Sequence, residues 1–162
     1  GNPPSKFKDV FKKAKEEGFK LVAHAGEEAD FSYIYEALDL LNINRIDHGV
    51  QSIKSPELMQ RLKDEQMPLT VCPNSNIELR VFDNYKEHNI KELLDYGLNI
   101  SVNSDDPAYF KGYVNQNFVN LHENLPITEE DVITLVKNSF RSAFISDELK
   151  EDYLAKVDAV LQ

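Results

Sequence analysis

Four short apolar runs, each ending in a polar cluster and followed by a stretch of helical period, decide what this chain can fold into. Lys20–Ala23 runs into His24, Arg45–Asp47 into His48, Leu69–Val71 into Cys72, and Leu98–Val102 into Asn103-Ser104-Asp105-Asp106. Such β-rich runs read as buried strands. His24, His48 and Cys72 are spaced 24 residues apart, and Asp105 follows one longer interval later. A strand, a loop, a helix and a return loop fit that unit.

The intervening segments carry helical spacing. Phe7, Val10, Phe11 and Ala14 recur at i, i+3, i+4 and i+7, and Ile34, Leu38 and Leu41 repeat the pattern. Leu58 and Leu62 follow Ser55-Pro56, a cap and first-turn pair. Ile90, Leu93 and Leu94 are stopped by Gly97. Thr128-x-x-Asp131 opens a helix through Val132, Leu135, Val136 and Phe140, and Leu149, Tyr153, Val157 and Val160 mark the last one. The order is a helix, four βα units and a terminal helix. Alternating βα units predict a parallel sheet with right-handed crossovers.

Polar residues at every strand's C-terminal end suit a barrel, whose sites lie on that face. A complete (β/α)8 barrel needs at least ~200 residues, so four units make roughly half of one. A small doubly wound α/β fold also places sites at strand ends, and periodicity alone does not separate the two.

Charge narrows the function. Lys and Arg total 18 against 28 Asp and Glu, a net charge of −10. That balance disfavours a nucleic-acid partner, which rewards clustered cations. No run approaches the ~20 apolar residues of a membrane helix, and the polar, lysine-rich Gly1–Phe19 stretch reads as no signal peptide. One cysteine forms no intrachain disulfide, so a reducing cytoplasmic setting is expected. The chain opens at Gly1 without a methionine, as a processed protein or a piece of a longer one would.

The strand ends carry His24-Ala-Gly-Glu27, Asp47-His48-Gly49, Cys72-Pro-Asn-Ser-Asn76 and Asn103-Ser-Asp105-Asp106-Pro107. An imidazole and a carboxylate are good zinc ligands, and a second His and carboxylate could supply acid and base. Each piece also has a plain reading. His24 could be a hydrogen-bonded strand-end histidine, and Asp105-Asp106-Pro107 a turn with a helix cap. Four such clusters at four successive strand ends weaken the plain reading of all of them. Cys72 reads as a packed thiol, and His88 and His122 as solvated surface residues. Glu27-Glu28-x-Asp30 reads mostly as helix N-terminal charge, with a further role open to Glu27. Tyr33 and Tyr35 read as packing.

HAGE at His24–Glu27, RIDHG at Arg45–Gly49, CPNSN at Cys72–Asn76 and SVNSDDP at Ser101–Pro107 together resemble the C-terminal half of the adenosine/adenine deaminase family of zinc amidohydrolases. The resemblance covers essentially the whole chain. Gly1–Phe7, Asn76–His88 and Asn103–Phe118 look most like its adenine-acting branch. It implies a (β/α)8 TIM barrel holding one Zn²⁺, of which this chain is a single partial domain spanning 1–162. It implies His24 and Asp105 as zinc ligands, Glu27 as proton donor to purine N1, His48 as the group that orients and helps deprotonate the attacking water, and Asp106 as a purine contact at N7.

The family's other two zinc ligands form a His-x-His pair, and this chain has none. Two protein ligands fall short of the three a catalytic zinc normally has. The implied partners are therefore a small purine substrate and the missing N-terminal barrel half. Adenine deamination leads, with adenosine deamination as the alternative. A non-catalytic α/β module that has lost its metal is the contrasting class. The joint presence of Glu27, His48, Asp105 and Asp106 argues against decay.

Overall fold

The computed structural model describes residues 1–160. Four strands form one parallel sheet in the order β1-β2-β3-β4: β1 Val22–Ala25, β2 Arg45–His48, β3 Leu69–Val71 and β4 Ile100–Val102. His24 sits opposite Asp47, Ala25 opposite His48, Ile46 opposite Leu69, and Val71 opposite Val102. All four C-terminal ends therefore share one edge of the sheet. Each strand ends within one residue of its expected position. Among the described residues β1 and β4 each pair on one side only.

The helices follow the apolar spacing. A short 3₁₀ turn, Pro4–Phe7, leads into α1 (Lys8–Glu16). The segment after β1 is α2 (Ser32–Glu36), which widens into a π-type turn at Ala37–Leu41 and ends on left-handed Asn42. α3 (Pro56–Asp64) starts as expected, with the Ser55 hydroxyl accepting from the Leu58 amide at 3.3 Å. The third crossover holds two helices, α4 (Pro73–Glu78) and α5 (Ile90–Tyr96), the latter ending on Gly97 at φ +97°. After β4 come α6 (Val114–Asn124), α7 (Glu129–Arg141) and α8 (Asp147–Val160). The capping box at Thr128 and Asp131 is complete: each backbone amide donates to the other's side chain, at 2.8 and 3.1 Å.

Two helices were not expected. Pro73-Asn-Ser-Asn76 has poor intrinsic propensity, yet it forms α4 because all four residues are buried and Asn74 and Asn76 bond to Asn117 and Glu27. α6 follows Val114, Phe118 and Leu121 at i, i+4 and i+7, a signal that was present in the sequence.

Ile46, Leu69 and Ile100 in the strands pack with Ile34, Leu58, Leu62, Leu93, Leu121 and Leu135 from the helices, all fully buried. α7 lies against β4, where Asn138 Nδ2 donates to the Ile100 carbonyl at 3.0 Å. Among the described residues no helix is long and apolar enough to cross a membrane.

Gly49, directly after β2, has φ +73°. A Cβ there would sit 2.5 Å from Leu69 Cδ2 and 3.2 Å from Ile46 Cγ2. Gly49→Ala should cost about 2–4 kcal/mol, from left-handed strain plus overpacking. A lowered thermal midpoint with unchanged secondary structure at low temperature is the expected readout, and an unchanged midpoint would disprove the clash.

Candidate active site

The side chains at the shared sheet edge form one cluster. His48 is 1% exposed, its Nδ1 lies 3.1 Å from Glu27 Oε1, and its Nε2 lies 3.8 Å from Asp105 Oδ2. The His24 ring centre is 4.9 Å from that of His48. Four of the five residues singled out in the sequence, His24, Glu27, His48 and Asp105, thus converge on one mouth.

Backbone conformation at the strand ends aims these groups. His48 has φ +70° and Asp105 has φ +54°, both left-handed without being glycine. Such conformations cost of order 1 kcal/mol and persist where the surroundings enforce them, often at functional sites. Gly26, between His24 and Glu27, has φ +68°, and its missing Cβ leaves room for Ile34.

The electrostatics separate two roles. Burial, reinforced by neighbouring His24, pushes the His48 pKa down to about 4, so the ring is neutral at physiological pH. Burial pushes the Glu27 carboxyl above its usual range, against the pull of His24. A neutral imidazole beside a carboxyl of raised proton affinity is a base and acid pair whose affinities are shifted in opposite directions. Asn76 Nδ2 donates to Glu27 Oε1 at 2.8 Å.

His24 stands on the rim with its side chain 67% exposed and Nδ1 3.5 Å from Asp47 Oδ2. Thr70 Oγ1 donates to Asp47 Oδ1 at 2.9 Å. A carboxylate beside one ring nitrogen orients a histidine to offer the other. Asp47 and Thr70 carried no assigned role in the sequence.

Asp106 stands apart. Its Oδ1 accepts from the amides of Ala108 and Tyr109 at 3.1 and 3.2 Å. None of its hydrogen bonds among the described residues reaches His24, Glu27 or His48. Asp30 lies just before α2, and its Oδ1 accepts from the Ser32 amide at 2.8 Å.

His88 corrects the sequence reading. It is 3% exposed, and burial pushes its pKa down to about 3. Lys86, Glu87 and Asn89 surround it in sequence, but the chain folds back so that its ring lies on Phe82 and against Asn76. His122 is exposed, as expected.

The donor set suits a metal. His48, Cys72 and Asp105 each bring one ligand atom to within 4.8 Å of one another. Nitrogen, sulfur and carboxylate oxygen are the donors a borderline cation such as zinc takes. The Cys72 thiol is buried, donates to the Thr70 carbonyl at 3.6 Å, and is pushed up by burial and by the nearby Asp105 and Glu27 carboxylates. A protonated thiol is a poor ligand, which leaves the imidazoles and Asp105 as the favoured donors.

A parallel βα sheet that gathers imidazole and carboxylate groups at its C-terminal edge has the architecture of part of a (β/α)8 barrel, a class the solved structures support. A sequence model of the adenosine deaminase family matches residues 1–160, and the chain belongs to that family. It is 88% identical over 98% of its length to an adenine deaminase of Psychrobacter cryohalolentis, covering 48% of that protein. It is 54% identical to one of Acinetobacter baylyi, covering 99% of this chain and 48% of that protein. The crystal structure of adenine deaminase from Arthrobacter aurescens superposes with a TM-score of 0.97 at 49% identity, over 99% of this chain and 49% of that one. A Burkholderia ambifaria amidohydrolase with bound Zn gives a TM-score of 0.90 at 28% identity, over 97% and 44% of the two chains. The chain thus spans about half the length of the curated relatives it matches.

Proposed function

We propose that this segment is a single partial domain, the C-terminal half of the barrel of a zinc-dependent purine aminohydrolase that converts adenine and water to hypoxanthine and ammonia. The observation that carries the reading is the meeting of Glu27, His48 and Asp105 at one strand-end mouth, within 3.1 and 3.8 Å of each other through His48. The 88% identity to an adenine deaminase supports adenine as the substrate.

His24 and Asp105 would hold the zinc, with the remaining ligands supplied by the N-terminal half of the barrel. When bound, zinc supplies Lewis-acid activation, bringing the pKa of water down towards ~7. His48, kept neutral by burial, orients the attacking water and accepts its proton. Glu27 holds a proton and delivers it to purine N1; with Oε1 engaged by Asn76, Oε2 is the donor. Water oxygen bonds to C6 as His48 takes one water proton and N1 takes the Glu27 proton; the C6–N6 bond then breaks, the amino group leaves as ammonia with the proton held by His48, and the hydroxyl proton returns to Glu27 as the C6 carbonyl forms. Asp106 would contact N7 through Oδ2, its Oδ1 being taken by the turn. A cytoplasmic setting fits the single, buried, unpaired cysteine.

The family match is to adenosine deaminase, so adenosine is the second substrate to test. Hypoxanthine, inosine and ammonia should be measured for the full-length protein with each substrate, alongside metal per chain for the wild type, Asp105→Asn and Asp106→Asn. Adenine should turn over with the higher kcat/KM. Asp105→Asn should lower metal content, and Asp106→Asn should raise KM with metal retained. Preference for adenosine would move the assignment to that substrate, and turnover of neither would favour a non-catalytic domain.

A further inference from the structure

We infer that His88, through the side-chain amide of Asn76, fixes the position of Glu27 and is a positioning residue for the proton transfer. The inference rests on the reading of Glu27 as the proton donor.

The direction of every hydrogen bond in the chain from His88 to Glu27 follows from one fixed donor. The Ile90 backbone amide donates to His88 Nδ1 at 3.1 Å. A backbone N–H donates and never accepts, so Nδ1 is bare and the hydrogen of the neutral ring sits on Nε2. Nε2 lies 3.2 Å from Asn76 Oδ1 and donates to it. That assigns the two ends of the Asn76 amide: oxygen towards His88, nitrogen towards the mouth. Asn76 Nδ2 then donates to Glu27 Oε1 at 2.8 Å and also comes within 3.4 Å of His48 Nδ1. With the amide reversed, Asn76 Oδ1 would face Glu27 Oε1, which could then pair only by carrying the carboxyl proton itself, away from Oε2. His88 forbids that reversal, because the reversed amide would also set an N–H against its own Nε2–H.

The parts are held for this purpose. Asn76 is fully buried in α4, and its carbonyl accepts from the Val81 amide at 2.8 Å and the Phe82 amide at 3.3 Å. The Phe82 ring covers His88 at 4.5 Å between centres. The next residue, Asn89, donates from Nδ2 to the Val50 carbonyl at 2.8 Å, tying the segment to the turn that follows β2. The donors thus run one way, from a helix-start amide through a ring and an amide to the acid.

The test uses the full-length protein with its metal. His88→Asn retains an acceptor for the Ile90 amide but is too short to reach Asn76. It should lower kcat on adenine by about 10–100-fold, the loss typical of a misplaced catalytic group, with KM, metal content and circular dichroism unchanged. His88→Gln, whose amide reaches Asn76, should recover most of that loss. In a Glu27→Gln background His88→Asn should cause no further loss, because the two act as one unit. In wild type, imidazole ¹⁵N shifts should give His88 as bare at Nδ1 and protonated at Nε2. A proton on Nδ1 overturns the inference even if His88→Asn fails to fold. Wild-type kcat in His88→Asn, or a loss that adds fully to that of Glu27→Gln, also overturns it. Full activity of Glu27→Gln would instead overturn the reading of Glu27 on which the inference rests, so the two failures are distinct.

Discussion

Glu27→Gln in the full-length protein should lower kcat on adenine by about 10²–10⁴-fold, the usual contribution of a positioned acid. The substitution is close to isosteric and removes one function. Its Oε1 can still accept from Asn76 Nδ2, the bond made at 2.8 Å in the native protein. Its amide nitrogen replaces the oxygen assigned to carry the proton, and an amide does not surrender a proton to N1. Metal content should stay at the wild-type level, since Glu27 is assigned to the substrate. KM should change little, because the lost interaction strengthens only as the proton moves. Steady-state ammonia release with metal analysis on the same preparations measures all three, and a fully active variant would remove the mechanism.

The 162-residue segment by itself should release no ammonia from adenine and should bind zinc weakly. It supplies acid and base at one mouth but, on the proposed assignment, only His24 and Asp105 as ligands. A catalytic zinc normally has at least three protein ligands. β1 and β4 are each paired on one side only among the described residues, and such edges invite self-association. Co-production with the complementary half of the barrel should restore both metal and turnover, a gain from background to full rate. Stoichiometric tight zinc and measurable deamination by the segment alone would show that the ligand count is wrong.

The βα order was legible because parallel strands are buried on both faces and leave compact apolar runs, and because the crossovers recur at similar length. Ser55-Pro56, Gly97 and the Thr128–Asp131 box were legible because caps are local chemistry. α4 was not, since its helix depends on partners distant in sequence: Asn117, 43 residues on, accepts from the Asn74 amide, and Glu27 lies 49 residues before Asn76. The strand-end position of His24, Glu27, His48 and Asp105 could be read from spacing, but their mutual distances depend on left-handed backbone that no spacing reveals. His88 was hidden for the same reason as α4. Its sequence neighbours are polar, and only the return of the chain onto Phe82 and Asn76 buries it.

His48 and Gly49 are consecutive left-handed residues, and the space above Gly49 is filled by Leu69. The aim of the histidine is therefore set by how the sheet interior is filled, and the two features cannot vary independently. A selection experiment that reshapes Leu69 or Ile46 to gain heat tolerance should therefore disturb the backbone that carries the imidazole. Improvements in robustness at those two positions should trade against catalytic rate, whereas gains made on the outer helices, such as α8, should come without that conflict.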